Sequence, residues 1–353
     1  MKNDFLKKLL VLLLAALCLT SCTNNKEKTV IFDEGVDTQI EVISYHPYEG
    51  SGVCFLNPGD KVAVISPSAY PDEKSRDAVM EGLKGLGYEP IEGKYTVGEM
   101  RTLENVIEDL DWALSDDQIK AIFCIRGGAG SSQLLDHLDL DLIRNKRKPI
   151  IGFSDITTFL NIWAICGVPS IHGAMADLFM DLPAECAEVE KHVLQGELPS
   201  YRVAGSEYDK TGSAEGILVG GNLSVTIETL STADDPLLIE RPYILFIEDV
   251  AEDTEHIWRY LSVLKNAGVL DKASGIIFGE FTEVEVCETY DGSSRGGKFA
   301  SVAEMINREF MNDAAIPVAY GFPAGHGINN YPLLFGEQVR LEVKEDFYTI
   351  EWE

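Results

Sequence analysis

The chain has 353 residues, 45% of them hydrophobic and 25% charged, and carries a formal net charge of −29. That is enough apolar material for a sizeable core in one or two domains. The charge argues against a nucleic-acid partner, which needs clustered Lys and Arg, and against docking of the folded part on an anionic membrane surface.

The first 22 residues, MKNDFLKKLLVLLLAALCLTSC, read as a signal peptide. Lys2, Lys7 and Lys8 open it, and the apolar run from Leu9 to Leu19 is too short to span a bilayer comfortably. The run ends in Leu19-Thr20-Ser21-Cys22, which resembles a bacterial lipobox. That resemblance implies cleavage before Cys22, lipidation of Cys22, and an exported bacterial lipoprotein on the periplasmic side of a membrane or at the cell surface. Residues 23–52 show no sustained period and read as a tether that holds the domain off the membrane.

From residue 53 the pattern becomes that of a folded domain. GDKVAVISPSA reads as a strand running into a turn, DEKSRDAVMEGLKGLGY as a helix, and TLENVIEDLDWALSD as a second helix. IKAIFCIRGG is a buried strand, SSQLLDHLD a short helix, and KPIIGFS a further buried strand. Apolar strands alternating with helices predict a parallel sheet covered on both faces, here a flavodoxin-like N-terminal domain over 53–185. Residues 186–213 are amphipathic and acidic and read as a connection. From Ala214 a second α/β domain of mixed sheet is predicted to residue 353, with strands in AEGILVGG, PYILFIEDV, ASGIIFGEF, IPVAYGF and QVRLEVKEDFYTIEWE.

Cys54, Cys124, Cys166, Cys186 and Cys287 remain after the leader and Cys22, an odd number with no C-x-x-C pair. This is neither a disulfide framework nor a zinc site. No spacing of His, Cys and carboxylates marks a metal, so no cofactor is expected.

Ligands of open α/β sheets bind beyond the carboxyl ends of the strands. Three polar residues stand at such ends: Ser154 after PIIGF, Glu248 after YILFI, and His326 after PVAYGFPAG. A serine is a poor nucleophile until a base takes its proton, an imidazole can take it near neutral pH, and a carboxylate can orient the imidazole. Each also has a plainer reading. Ser154 could cap a helix, Glu248 could be a solvated helix start, and His326 could be a loop residue. The string Gly152-Phe153-Ser154-Asp155-Ile156 is not the usual G-x-S-x-G elbow, because Ile156 stands where the second glycine would be.

The combination resembles the LD-carboxypeptidase family, which includes the microcin C self-immunity peptidases. The resemblance runs from about Leu56 to Leu341 through NPGDKVAVISPSA, IRGGAGSSQLLDHLDLDLI, KPIIGFSDIT, IHG, GGNL, LFIEDV and GFPAGHG. It implies two domains with the active site in the cleft between them, and a catalytic triad of Ser154, Glu248 and His326. The oxyanion hole would use the N–H of Asp155, which follows the nucleophile, and by resemblance that of Gly128. Arg126 would hold the substrate's terminal carboxylate by a bidentate pair, or else form a structural ion pair. Ala129 and Ala174 depart from the commoner strings, which have an aromatic residue and a proline there.

The expected partner is a peptide, most directly a murein tetrapeptide losing a terminal D-amino acid, and a homodimer is also compatible with the resemblance. Two other readings compete: a self-immunity-type peptidase acting on peptide–nucleotide or other acyl-amide compounds, and a lipoprotein that binds muropeptide without turnover.

Overall fold

The computed structural model describes residues 30–32, 38–50, 53, 55–98, 102–175, 182–230, 232, 235, 239–293 and 297–353. The leader, Cys22, and residues 23–29, 33–37, 51 and 52 of the expected tether lie outside the described residues.

In chain order the strands are β1 (Val30–Phe32), β2 (Ile40–Pro47), β3 (Lys61–Ile65), β4 (Glu89–Glu92), β5 (Ile119–Cys124), β6 (Ile150–Gly152) and β7 (Ser170–His172). They continue with β8 (Glu197–Ala204), β9 (Gly212–Asn222), β10 (Tyr243–Val250), β11 (Gly275–Thr282) and β12 (Val284–Glu285). The last four are β13 (Val318–Tyr320), β14 (Leu333–Phe335), β15 (Gln338–Val343) and β16 (Phe347–Trp352).

The predicted helices form where their caps direct. Asp72 accepts from Ser75 N–H to start Glu73–Gly85, and Thr102 accepts from Asn105 N–H to start Leu103–Ser115. With the buried strands between them they build a six-stranded sheet in the order β14-β7-β6-β5-β3-β4. All its neighbours are parallel except β14 against β7. The second sheet has eight strands, ordered β13-β11-β10-β9-β15-β16-β8-β2. It is parallel from β13 to β9 and antiparallel from β9 to β2, so it is mixed, as the sequence pattern suggested.

Alternation along β10 decides which side of this second sheet meets the first. Ile244 and Phe246 join the core shared with the six-stranded sheet, whereas Leu245 and Ile247 join a separate core under the outer helices. Glu248 continues the inner series, so strand geometry alone turns it toward the first sheet.

Three segments depart from the sequence reading. Ile40–Pro47, inside the expected tether, is the edge strand of the eight-stranded sheet, paired antiparallel with β8. Its side chains are mostly exposed, which hid the strand from a hydrophobic pattern. The expected connection over 186–213 contains the end of the helix Ala184–Leu194 and all of β8, whose Leu198, Tyr201 and Val203 are buried. Leu333–Phe335, placed by sequence in the second domain, leaves it and pairs with β7, with Leu333 opposite His172. Three apolar residues carry no signal of which sheet they will join.

That excursion matters for the site. The segment that carries His326 starts from β13 in one sheet and ends at β14 in the other, so it is anchored at both ends. Nearby, Asn161 and Gly220 exchange two hydrogen bonds of 3.1 and 2.9 Å, tying the helix Thr157–Ile165 to β9.

Candidate active site

β6 ends at Gly152, and the chain turns sharply at Ser154, whose φ of 61° lies in the left-handed region. Such a conformation in a residue with a Cβ is strained, and strain of this kind concentrates where function requires it. Ser154 does not cap the following helix. A short 3₁₀ turn, Ser154–Ile156, comes first, and the helix Thr157–Ile165 starts from Ile156 with no side-chain cap. Ile156 fits because the preceding glycine makes room, since a Cβ on Gly152 would lie 3.0 Å from its side chain. The elbow thus differs from G-x-S-x-G by packing a branched side chain over the first glycine.

The turn after β5 lies against the serine. A Cβ on Gly127 would be 3.1 Å from Ser154 Oγ and 3.5 Å from the Asp155 nitrogen. The Gly127 carbonyl accepts from Ala69 N–H at 3.3 Å. A trans peptide points its N–H opposite to its carbonyl, so the Gly128 N–H faces away from Ala69. Gly128 itself has φ +134° and no room for a Cβ, which would stand 2.5 Å from the Ala69 methyl.

Asp155 is buried and ties three loops together. Its Oδ2 accepts from Ser68 Oγ at 2.5 Å and from Ser131 N–H at 3.0 Å, and its carbonyl accepts from Ser131 Oγ at 2.6 Å. Ser68 and Ser131 were not singled out from sequence, where they are two serines among turn residues. Arg126 is exposed, and among the described residues it makes no ion pair, so the structural ion pair considered for it is not seen there.

Glu248 is fully buried at the end of β10. Its Oε2 accepts from His326 Nδ1 at 2.7 Å. An ionised carboxylate only accepts, so the proton sits on Nδ1 and leaves Nε2 as a base. The His326 ring packs on Phe153, the residue before Ser154, with ring centroids 4.8 Å apart. Glu248 and His326 therefore meet, and the imidazole lies against the residue that precedes Ser154. Burial pulls the His326 pKa down, but the charge and hydrogen bond of Glu248, with Asp249 and Glu283 behind them, outweigh it and the net direction is up.

Asp249, the neighbouring acid, faces the other way. It accepts from Asn222 Nδ2 at 2.9 Å and Ser224 N–H at 3.0 Å, and burial followed by the Glu248 charge raises its pKa to about 7.

The Gly325-His326-Gly327 string has a steric cause. A Cβ on Gly325 would stand 2.7 Å from Glu248 Oε2, and one on Gly327 1.8 Å from Glu280 Oε2. Each glycine lets the loop settle directly on a carboxylate. Gly325 also has φ +132°. Gly325→Ala should therefore lower kcat/KM at least about tenfold through a displaced imidazole, and it should cost about 1–3 kcal/mol of stability from backbone strain. Steady-state kinetics with thermal unfolding checks this, and an Ala variant with unchanged values would contradict the packing of this loop.

His172 was noticed in sequence only as part of the IHG string. It is fully buried, with Phe153, Phe246 and Phe335 at ring-centroid distances of 5.8, 5.1 and 5.5 Å. Burial depresses its pKa to about 4, so it is a neutral core residue at physiological pH. Among the described residues no group of three or more His, Cys, Asp or Glu could hold a metal ion.

Residues 62–173 match the model of the LD-carboxypeptidase N-terminal domain, and residues 215–341 that of the C-terminal domain. A probable murein peptide carboxypeptidase of Bacillus subtilis is 32% identical over 308 residues, covering 84% of this chain and 93% of that protein. The murein tetrapeptide carboxypeptidase of Pseudomonas aeruginosa is 28% identical over 300 residues, 80% of this chain and 93% of that one. Among solved structures, MccF in complex with glutamyl sulfamoyl guanosine superposes with a TM-score of 0.71 at 21% identity, covering 85% of this chain and 98% of MccF, and so shares the fold.

Proposed function

The chain belongs to the LD-carboxypeptidase family and is a serine peptidase, and from that premise we propose that it removes a C-terminal D-amino acid from murein tetrapeptides through a Ser154–His326–Glu248 triad. The observation that carries the triad is the 2.7 Å contact of His326 Nδ1 with buried Glu248, made while the imidazole packs against the residue preceding Ser154.

In this reading His326 Nε2 takes the Ser154 proton as Oγ attacks the carbonyl of the terminal peptide bond. The developing oxyanion is held by the N–H groups of Asp155 and Gly128. His326 then gives its proton to the leaving amine, and a water activated by the same nitrogen clears the acyl-enzyme. Arg126, exposed near this turn, supplies the fork that holds the terminal carboxylate. The names of the Bacillus and Pseudomonas relatives support a muropeptide substrate. The test is release of D-alanine from murein tetrapeptide and not of L-alanine from the diastereomer; turnover of the latter at equal rate would refute the D-specificity.

The leader supports a second proposal, that the mature protein is anchored by lipid on Cys22. More than one acyl chain makes such an anchor stable. Cys22→Ala should move the protein from the membrane to the soluble fraction and abolish palmitate labelling. A variant that remains membrane-bound at the wild-type level would place the anchor elsewhere.

A further inference from the structure

Along β11, Ile276 and Phe278 face the outer core and Ile277 the inner one. Simple alternation would then send Glu280 outward, away from the cleft. It does not go there. Ile247 pairs with Phe278 but Asp249 with Phe281, so β11 holds one extra residue beside Glu248. This bulge re-aims a side chain, as bulges beside active sites do. Glu280 comes round onto the loop that bears His326: its Oε2 is 1.8 Å from where a Gly327 Cβ would be, and its own N–H donates to Ala324 C=O at 3.1 Å. Glu280 is buried and lies against the Gly327 backbone, where its Oε2 has no hydrogen-bond partner among the described residues.

We propose that Glu280 is a positioning residue of the active site, whose carboxylate grips Gly327 and so sets where the His326 imidazole stands against Glu248 and Ser154. The proposal rests on the triad reading given above.

The groups around Glu280 are Glu248 on β10, the Gly327 backbone on the loop, and Tyr320 on β13, which lines with it a cavity of about 80 Å³. Burial, then the Glu248 charge, raises the Glu280 pKa against the Gly327 N–H, which lowers it, and the result is about 7. Burial raises the Tyr320 pKa further still, so Tyr320 stays neutral. Below pH 7 the Glu280 carboxyl is mostly protonated and attracts the nearby Gly327 N–H weakly; above it the carboxylate attracts it by its charge. The grip therefore tightens with rising pH, over the range in which His326 loses its proton.

The test compares kcat and KM of wild type and Glu280→Gln on murein tetrapeptide across pH. At about pH 8.5 the variant should lose about tenfold in kcat with KM within about twofold, and near pH 6 the gap should shrink below about threefold. The limiting slope of log kcat/KM against pH should exceed one for wild type and equal one for the variant. Equal rates at high pH, or a loss by the same factor at both pH values, would overturn the proposal. A second pair decides if the Gln variant does not fold. Gly327→Ala should lose activity because its methyl meets Glu280, and adding Glu280→Ala should recover at least about threefold by making room. A folded double variant without recovery would also overturn it. Ser154→Ala is assayed alongside: wild-type activity there refutes the triad, whereas an inactive Ser154→Ala with a pH-independent Glu280→Gln effect refutes only the grip.

Discussion

Ser154→Ala should abolish hydrolysis and leave the fold unchanged. The hydroxyl makes no capping bond to the helix that follows, so its loss should cost less than about 1 kcal/mol. What disappears is the nucleophile, and removing a triad serine elsewhere has cost about a millionfold in kcat. Here a loss of at least about a thousandfold is expected, since the oxyanion donors and substrate binding remain. Thermal unfolding within error of wild type, together with absent turnover, is the expected pair of results. Near wild-type activity in the purified variant would show that some other group attacks the substrate.

Glu248→Gln should lower kcat/KM by at least about a hundredfold and shift its pH dependence. Glutamine fits the site. Oε2 is the atom that meets His326, whereas Oε1 has no hydrogen-bond partner among the described residues, so the amide nitrogen can take the Oε1 position. The negative charge is lost. In wild type that charge is the main influence lifting the His326 pKa against burial, so without it burial dominates and the pKa falls. Activity needs neutral His326, so wild-type kcat/KM should rise with pH through ionisation above the ordinary histidine value and then level off. The variant should rise at lower pH and level off at a much smaller rate. Rate profiles from pH 5 to 9 check both parts. A variant within threefold of wild type with the same profile would mean that another acid orients His326. Asp249 is a poor candidate, because it is committed to Asn222 and Ser224 on the opposite face.

Much of this site could be read from sequence because it is built at strand ends. Buried strands such as KVAVI and YILFIEDV announce themselves by composition, and the polar residue that ends each one marks the cleft side of the sheet. Ser154, Glu248 and His326 stood out as candidates for that reason and through the family strings, and folding brings Glu248 against His326. The second layer of the site was not legible. Ser68 and Ser131 matter through one carboxylate, that of Asp155, which only folding brings to them. Glu280 reads as an outward residue under strict alternation, and a one-residue bulge reverses that. β2 was hidden because an exposed edge strand has no apolar stripe, and β14 because three residues do not state their partner. The glycines beside His326 were visible only within the GFPAGHG string, whereas their role is clearance over two carboxylates.

In the proposed reaction Ser154, driven by His326 and Glu248, cleaves the bond to a C-terminal D-amino acid of a muropeptide. The most direct measurement incubates the purified soluble domain with murein tetrapeptide and follows the products by mass spectrometry, with Ser154→Ala in parallel. Wild type should convert it to the tripeptide with release of one D-alanine, and the variant should not. An unchanged tetrapeptide under conditions where the wild-type protein is folded, or equal conversion by both proteins, would contradict it.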